Sequence, residues 1–232
     1  MAAKASGTRS KGSPGKATPP RSDGGPQAEP PLSLERIVAA AIELLDAEGI
    51  GGLKMRRLAD RLGAGAMSLY WHVANKEAVL DLVLDAVFDY RGLPDMDADE
   101  DWRAHVIRML EDWRAVMLRH TWSVALLPRR ALGPNILGRL ERLGKALSKA
   151  GVADVELNAA IWSLWNYVIG ATVTRASFDL SSAEMAAGQQ RLSRLSEHYP
   201  TIERSRLLLD SDWDGTFRRG LDFLLDGLAP KG

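Results

Sequence analysis

Met55-Arg-Arg-Leu-Ala-Asp-Arg-Leu-Gly-Ala-Gly-Ala-Met-Ser-Leu-Tyr-Trp-His72 is the stretch whose reading decides the fold of this chain. Met55, Leu58, Ala59 and Leu62 fall on one side of a short helix, and Gly63 ends it where a residue with positive φ is easily supplied. A second short helix is expected from about Gly65 to Trp71. Two short helices joined by a glycine turn form a helix-turn-helix when the second is held away from the core. The major groove of DNA admits one such helix, and its base edges can be read by short polar side chains and aromatic hydroxyls. Around this pair Lys54, Arg56, Arg57, Arg61 and Lys76 are opposed in the local sequence only by Asp60, which makes the neighbourhood basic. Three adjacent aromatic side chains, Tyr70, Trp71 and His72, sit where a compact domain seldom spends them. The plainer alternative is that Tyr70 and Trp71 pack a small core.

Upstream, Ser33 is a capping residue before Leu34, Ile37, Val38, Ala41 and Leu45, whose helical spacing predicts a first amphipathic helix ended by Gly49. Downstream, Asn75 caps a helix carrying Val79, Leu82, Val83, Ala86, Val87 and Tyr90, closed by Pro94 and an acidic run. The remainder shows helical periodicity and no alternating strand pattern, with segments at Trp102–His120, Pro134–Ala150, Asp154–Phe178, Ser181–His198 and Asp212–Leu228. The expected class is therefore all-α. Residues 1–31 are rich in Ala, Gly, Ser, Pro, Lys and Arg, so a disordered basic tail is expected there. That tail either adds unspecific phosphate attraction or merely solubilises. Residues 32–78 form the helix-turn-helix domain and 79–232 a larger helical domain.

Composition narrows the function classes. The formal charge is zero, so any attraction for nucleic acid must be local. Cysteine is absent, which excludes disulfides, thiolate metal sites and cysteine nucleophiles and points to the cytoplasm. No apolar run reaches the roughly 18 residues that span a bilayer, and the amino terminus lacks a signal-peptide core. An enzyme is disfavoured: the chain has no nucleophile elbow, no phosphate-cradling loop and no paired His-Glu metal spacing. His72, His105, His120 and His198 are scattered, so no metal or cofactor is expected.

Ala47–Gly63, Ala-Glu-Gly-Ile-Gly-Gly-Leu-Lys-Met-Arg-Arg-Leu-Ala-Asp-Arg-Leu-Gly, followed by Leu69–Asp81, Leu-Tyr-Trp-His-Val-Ala-Asn-Lys-Glu-Ala-Val-Leu-Asp, resembles the DNA-binding module of the tetracycline-repressor family. A weaker similarity runs from Trp102 to the end, most visibly at Phe217–Phe223. The resemblance implies that Arg56, Ala66, Met67, Ser68, Tyr70 and Trp71 face an operator in double-stranded DNA, with His72 and Lys76 on its backbone. Three positions depart from the family pattern. Lys54 replaces the usual Ser or Thr cap, and Ala66 and Met67 replace polar or Pro residues, so the namesake operator does not carry over.

Trp102, Trp113, Trp122, Trp162, Trp165 and Tyr167 give the larger domain an aromatic density suited either to core packing or to a cavity for a flat, apolar ligand. The resemblance implies a pocket for a small-molecule effector, at matched positions Arg108, Met109, Trp113, Leu143, Trp165, Asn166 and Thr174. Members that hold a magnesium–tetracycline chelate use histidines absent from Asp89–Gly92 and Ala125–Pro128 here, and Thr174 replaces a carboxylate, so tetracycline itself is not expected. Phe217, Leu221, Leu224, Leu225 and Leu228 form an apolar stripe that is satisfied either within the chain or by a partner. The resemblance implies a homodimer built there, with Ser181–His198 contributing. The expected function is a regulator, most often a repressor, released from a palindromic site by its effector. The alternative is a helical ligand-binding protein that ignores DNA.

Overall fold

The computed structural model describes residues 31–97, 99–130, 132–178, 181–205 and 212–228. The expected tail lies almost wholly outside the described residues. Among them the secondary structure is helical, with no strand.

Helix α1 spans Leu34–Gly52 and is opened by the Ser33 hydroxyl, which accepts the Arg36 amide at 3.3 Å. It buries Ile37, Ala40, Ala41, Leu44 and Leu45, and kinks at Gly49, whose φ of 66° interrupts the helical line. Helix α2 (Met55–Arg61) begins at Lys54 without a side-chain cap. Gly63, at φ 61°, turns the chain into α3 (Ala66–His72). The left-handed conformation needed at this turn is one that a side chain would strain. Helix α4 (Lys76–Val87) starts at Asn75, whose side-chain oxygen accepts the Ala78 amide at 2.8 Å.

The larger part is built around α5 (Trp102–Arg119), which packs on α7 (Pro134–Lys149), α8 (Asp154–Ser177) and α11 (Trp213–Leu228). Trp113 is fully buried there and meets Trp165 edge-on at 5.2 Å. Between α5 and α7 the chain forms α6 (Trp122–Leu126) and a 3-10 turn (Leu127–Arg129), within the gap between the expected segments Trp102–His120 and Pro134–Ala150. Trp122, Ser123, Val124, Leu126 and Leu127 are buried, so tertiary packing holds this uncapped helix. Past α8 come α9 (Ser182–Arg194), opened by a full capping box between Ser181 and Glu184, and a second unforeseen short helix, α10 (Pro200–Ser205). Neither buries a residue.

Helices α4 and α7 cap one another. Asp85 of α4 accepts the Asn135 and Ile136 amides at 2.9 and 3.2 Å, satisfying the start of α7. Gly133 permits this approach, because a Cβ there would stand 2.3 Å from the Asp85 carboxyl carbon. In return Arg139 of α7 donates to the Phe88 and Asp89 carbonyls at 2.7 and 3.0 Å, closing the end of α4.

Candidate nucleic-acid interface and sensor cavity

Helix α3 is anchored by very little. Leu69 is its one buried residue, and Val73, just past its end, is the next. Everything else on it points outward: Met67 is 74% exposed, Tyr70 48% and Trp71 86%, with Ala66, Ser68 and His72 exposed beside them. The small-core alternative for Tyr70 and Trp71 is thereby removed. An isolated protomer gains nothing from exposing three large side chains together, so such a patch marks a contact surface.

The charge around α3 differs from the local count. Arg57 forms a two-pronged ion pair with Glu48 of α1, one contact at 2.6 Å, and Arg61 reaches Glu43 of α1 at 3.1 Å through Nε. The Arg57 guanidinium accordingly holds the Glu48 carboxyl below its usual range. Two of the five cations are thus neutralised by carboxylates nine and eighteen residues away in sequence, a pairing that a local tally could not see. Arg56 and Lys54 have no ion pair among the described residues. Lys76 is half-buried and donates to the Ile50 carbonyl at 3.1 Å, tying the start of α4 to the glycine-rich exit of α1.

In the larger part a cavity of about 600 Å³ opens between residues 127–130 with Leu132, α7 and α8. Leu127, Pro128, Arg130 and Leu132 form one wall, and Leu140 of α7 adds to it. Helix α8 gives Ile161, Trp162, Trp165, Asn166 and Ile169. The size suits a drug-sized molecule, and the lining is apolar apart from Arg130 and Asn166.

The positions nominated from sequence scatter relative to this space. Trp165 and Asn166 line it. Met109, Trp113 and Leu143 are buried in the core, while Arg108 lies outside, paired with Glu100. Thr174 is exposed and its hydroxyl donates to the Gly170 carbonyl at 2.9 Å. Leu127, Arg130, Leu140 and Ile161 were not singled out. Nothing in helical periodicity tells a core-facing from a cavity-facing apolar residue, although an arginine among apolar neighbours was a usable signal.

The terminal stripe is satisfied within the protomer: Phe217, Leu221 and Leu225 are buried, and Leu224 and Leu228 pack partly against the same core. Tyr167 stacks on Phe217 at 5.4 Å and donates its hydroxyl to the Phe217 carbonyl, and burial pushes its own pKa up. The apolar surface left over lies elsewhere. Val155, Trp162 and Val173 are exposed along α8, and Phe223 is 75% exposed on the neighbouring α11.

Sequence and structure comparisons agree with this geometry. Residues 37–83 match the family described as bacterial regulatory proteins, tetR family, and residues 93–231 match the tetracyclin repressor-like C-terminal domain. An HTH-type transcriptional regulator of Saccharopolyspora erythraea is 39% identical, over 99% of this chain and 98% of its own length. The HTH-type transcriptional repressor DrrR1 of Streptomyces coeruleorubidus is 34% identical, over 86% of this chain and 78% of its own. Among solved structures, apo ActR of Streptomyces coelicolor superposes with a TM-score of 0.77 at 30% identity, covering 87% of this chain and 96% of that one. BioQ bound to its natural double-stranded DNA operator superposes at 0.61 with 31% identity, over 87% and 100%.

Proposed function

Because the chain belongs to the tetR family of bacterial regulatory proteins, we propose that it is a cytoplasmic repressor that binds a palindromic operator as a homodimer and releases it when a small, largely apolar or aromatic molecule fills the α7–α8 cavity. It is a DNA-binding transcriptional regulator with an N-terminal helix-turn-helix and a helical ligand-binding domain, and such regulators are not enzymes. No described helix is long and apolar enough to cross a membrane.

The observation that carries the proposal is the outward presentation of α3. Ser68, Tyr70 and Met67 read base edges or thymine methyls, Trp71 and Ala66 lie against the groove wall, and Arg56 adds an unpaired cation from α2. His72 and Lys76 meet phosphates. The bond from Lys76 to Ile50 still leaves two ammonium hydrogens for that contact. Dimerisation uses the exposed faces of α8 and α11, where Val155, Val173 and Phe223 stand in water, since the buried side of α11 is already occupied. A second copy on that face places two α3 helices for successive grooves. For the effector, one relative is instructive: ActR has been solved in complex with actinorhodin.

The test is to select fragments of the source genome on the purified protein and repeat the selection with aromatic small molecules. The expected result is a set of fragments sharing an inverted repeat, its half-sites about one helical turn of 10–10.5 bp or a multiple apart. At least one compound should deplete them. Recovery no better than from scrambled DNA at low salt would overturn the reading.

A further inference from the structure

Arg130 joins the cavity to the helix that carries the DNA-binding module. Among the described residues it is the one charged group in the cavity wall, and its side chain is only 12% exposed. Its two terminal nitrogens both turn to α4: Nη1 donates to the Glu77 carbonyl at 2.9 Å and to the Asp81 carboxylate at 2.6 Å, and Nη2 to the Glu77 carboxylate. The two carboxylates are 66% and 51% exposed. This asymmetry matters. If the arginine changes partner, Glu77 and Asp81 turn into water at little cost, whereas a half-buried guanidinium, poorly reached by water, gains from finding a new one.

We propose that Arg130 is the specificity and coupling residue of this cavity, which takes a ligand with an apolar aromatic body and an anionic group. The anion pairs with the Arg130 guanidinium and draws it from Glu77 and Asp81, freeing the first turns of α4. Those turns begin at the Asn75 cap and Lys76, which tie them to the α3–α4 connection and to the exit of α1. The far end of α4 stays gripped through Asp85 and Arg139, so release at the near end swings the helix rather than detaching it. A neutral ligand of the same shape would fill the cavity and leave the clamp closed. This inference rests on the reading of the cavity as the effector site.

Two dyes of one shape test it on the full-length protein: anilinonaphthalene sulfonate, which is anionic, and N-phenylnaphthylamine, its neutral counterpart. Both are followed by fluorescence. Leu140→Trp, which fills the cavity, should abolish binding of both. Arg130→Gln should weaken the sulfonate dye roughly tenfold, the scale of one charge-assisted hydrogen bond, and leave the neutral dye unchanged. Glu77→Gln combined with Asp81→Asn removes both charges that hold the guanidinium, leaving only neutral acceptors, and should tighten the sulfonate dye severalfold. This double change is on the surface and guards against a folding defect in the first variant. Amide exchange in the first turns of α4 should quicken with the sulfonate dye and not with the neutral one.

If neither dye binds, or Leu140→Trp leaves both bound, the cavity reading falls and this inference with it. If Leu140→Trp removes both but Arg130→Gln affects the two alike, or α4 exchange ignores the sulfonate, the cavity reading stands and the role of Arg130 is refuted.

Discussion

Replacing Arg139 by leucine costs the folded protein about 3–5 kcal/mol, the range for removing one partner of a buried ionic network. The side chain is 3% exposed and every nitrogen of its fork is engaged: Nε on the Phe88 carbonyl, Nη2 on the Asp89 carbonyl and Nη1 on Asp112 at 2.6 Å. Because Asp112 is itself 38% exposed, the carboxylate can rehydrate, and most of the loss comes from the two α4 carbonyls left dry. Lysine should restore only part, since a point charge cannot reproduce a planar fork. Denaturant unfolding at fixed protein concentration measures the change, and Arg61→Ala serves as the contrast. The Arg61–Glu43 pair is about half exposed on both sides, so its loss should cost at most about 1 kcal/mol. Equal effects of the two substitutions would show that Arg139 does not hold α4.

Leu69→Ala is expected to cost about 2–5 kcal/mol, the range for truncating a fully buried leucine. The loss should be felt locally. With Leu69 gone, α3 keeps no buried side chain of its own, so amide exchange should rise in α2 and α3 before the rest of the protein unfolds. Trp71→Ala makes the control: at 86% exposure it should shift stability by no more than about 0.5 kcal/mol. A Trp71 effect as large as that of Leu69 would mean that α3 is seated the other way round.

The helix-turn-helix was legible because its instructions are local. Ser33 and Asn75 sit at the caps, Gly49 and Gly63 adopt positive φ, and one leucine on α3 faces inward among outward-facing neighbours. What escaped the sequence is what depends on distant partners. Glu43 and Glu48 neutralise Arg61 and Arg57 only because α1 lies beside α2. The five-residue α6 has neither length nor a cap and survives by burying Trp122, whose indole donates to Asp46 of α1 at 2.7 Å. Arg139 reads as a solvated charge until one notices that Ile136 and Leu143, three residues before and four after, place it on the buried face of α7. The cavity was the least legible part. Positions carried across by resemblance reached Trp165 and Asn166, but the wall contributed by Leu127, Pro128, Arg130 and Leu132 lies where no periodic pattern announced it.

The most direct test of the central claim, that the exposed side of α3 is the DNA-reading surface, is the affinity for selected operator fragments of protein carrying Tyr70→Ala and Trp71→Ala together. With helical content and thermal stability unchanged, affinity should fall at least about tenfold, at 1–3 kcal/mol for each lost base contact. Wild-type affinity in this double variant would contradict the claim.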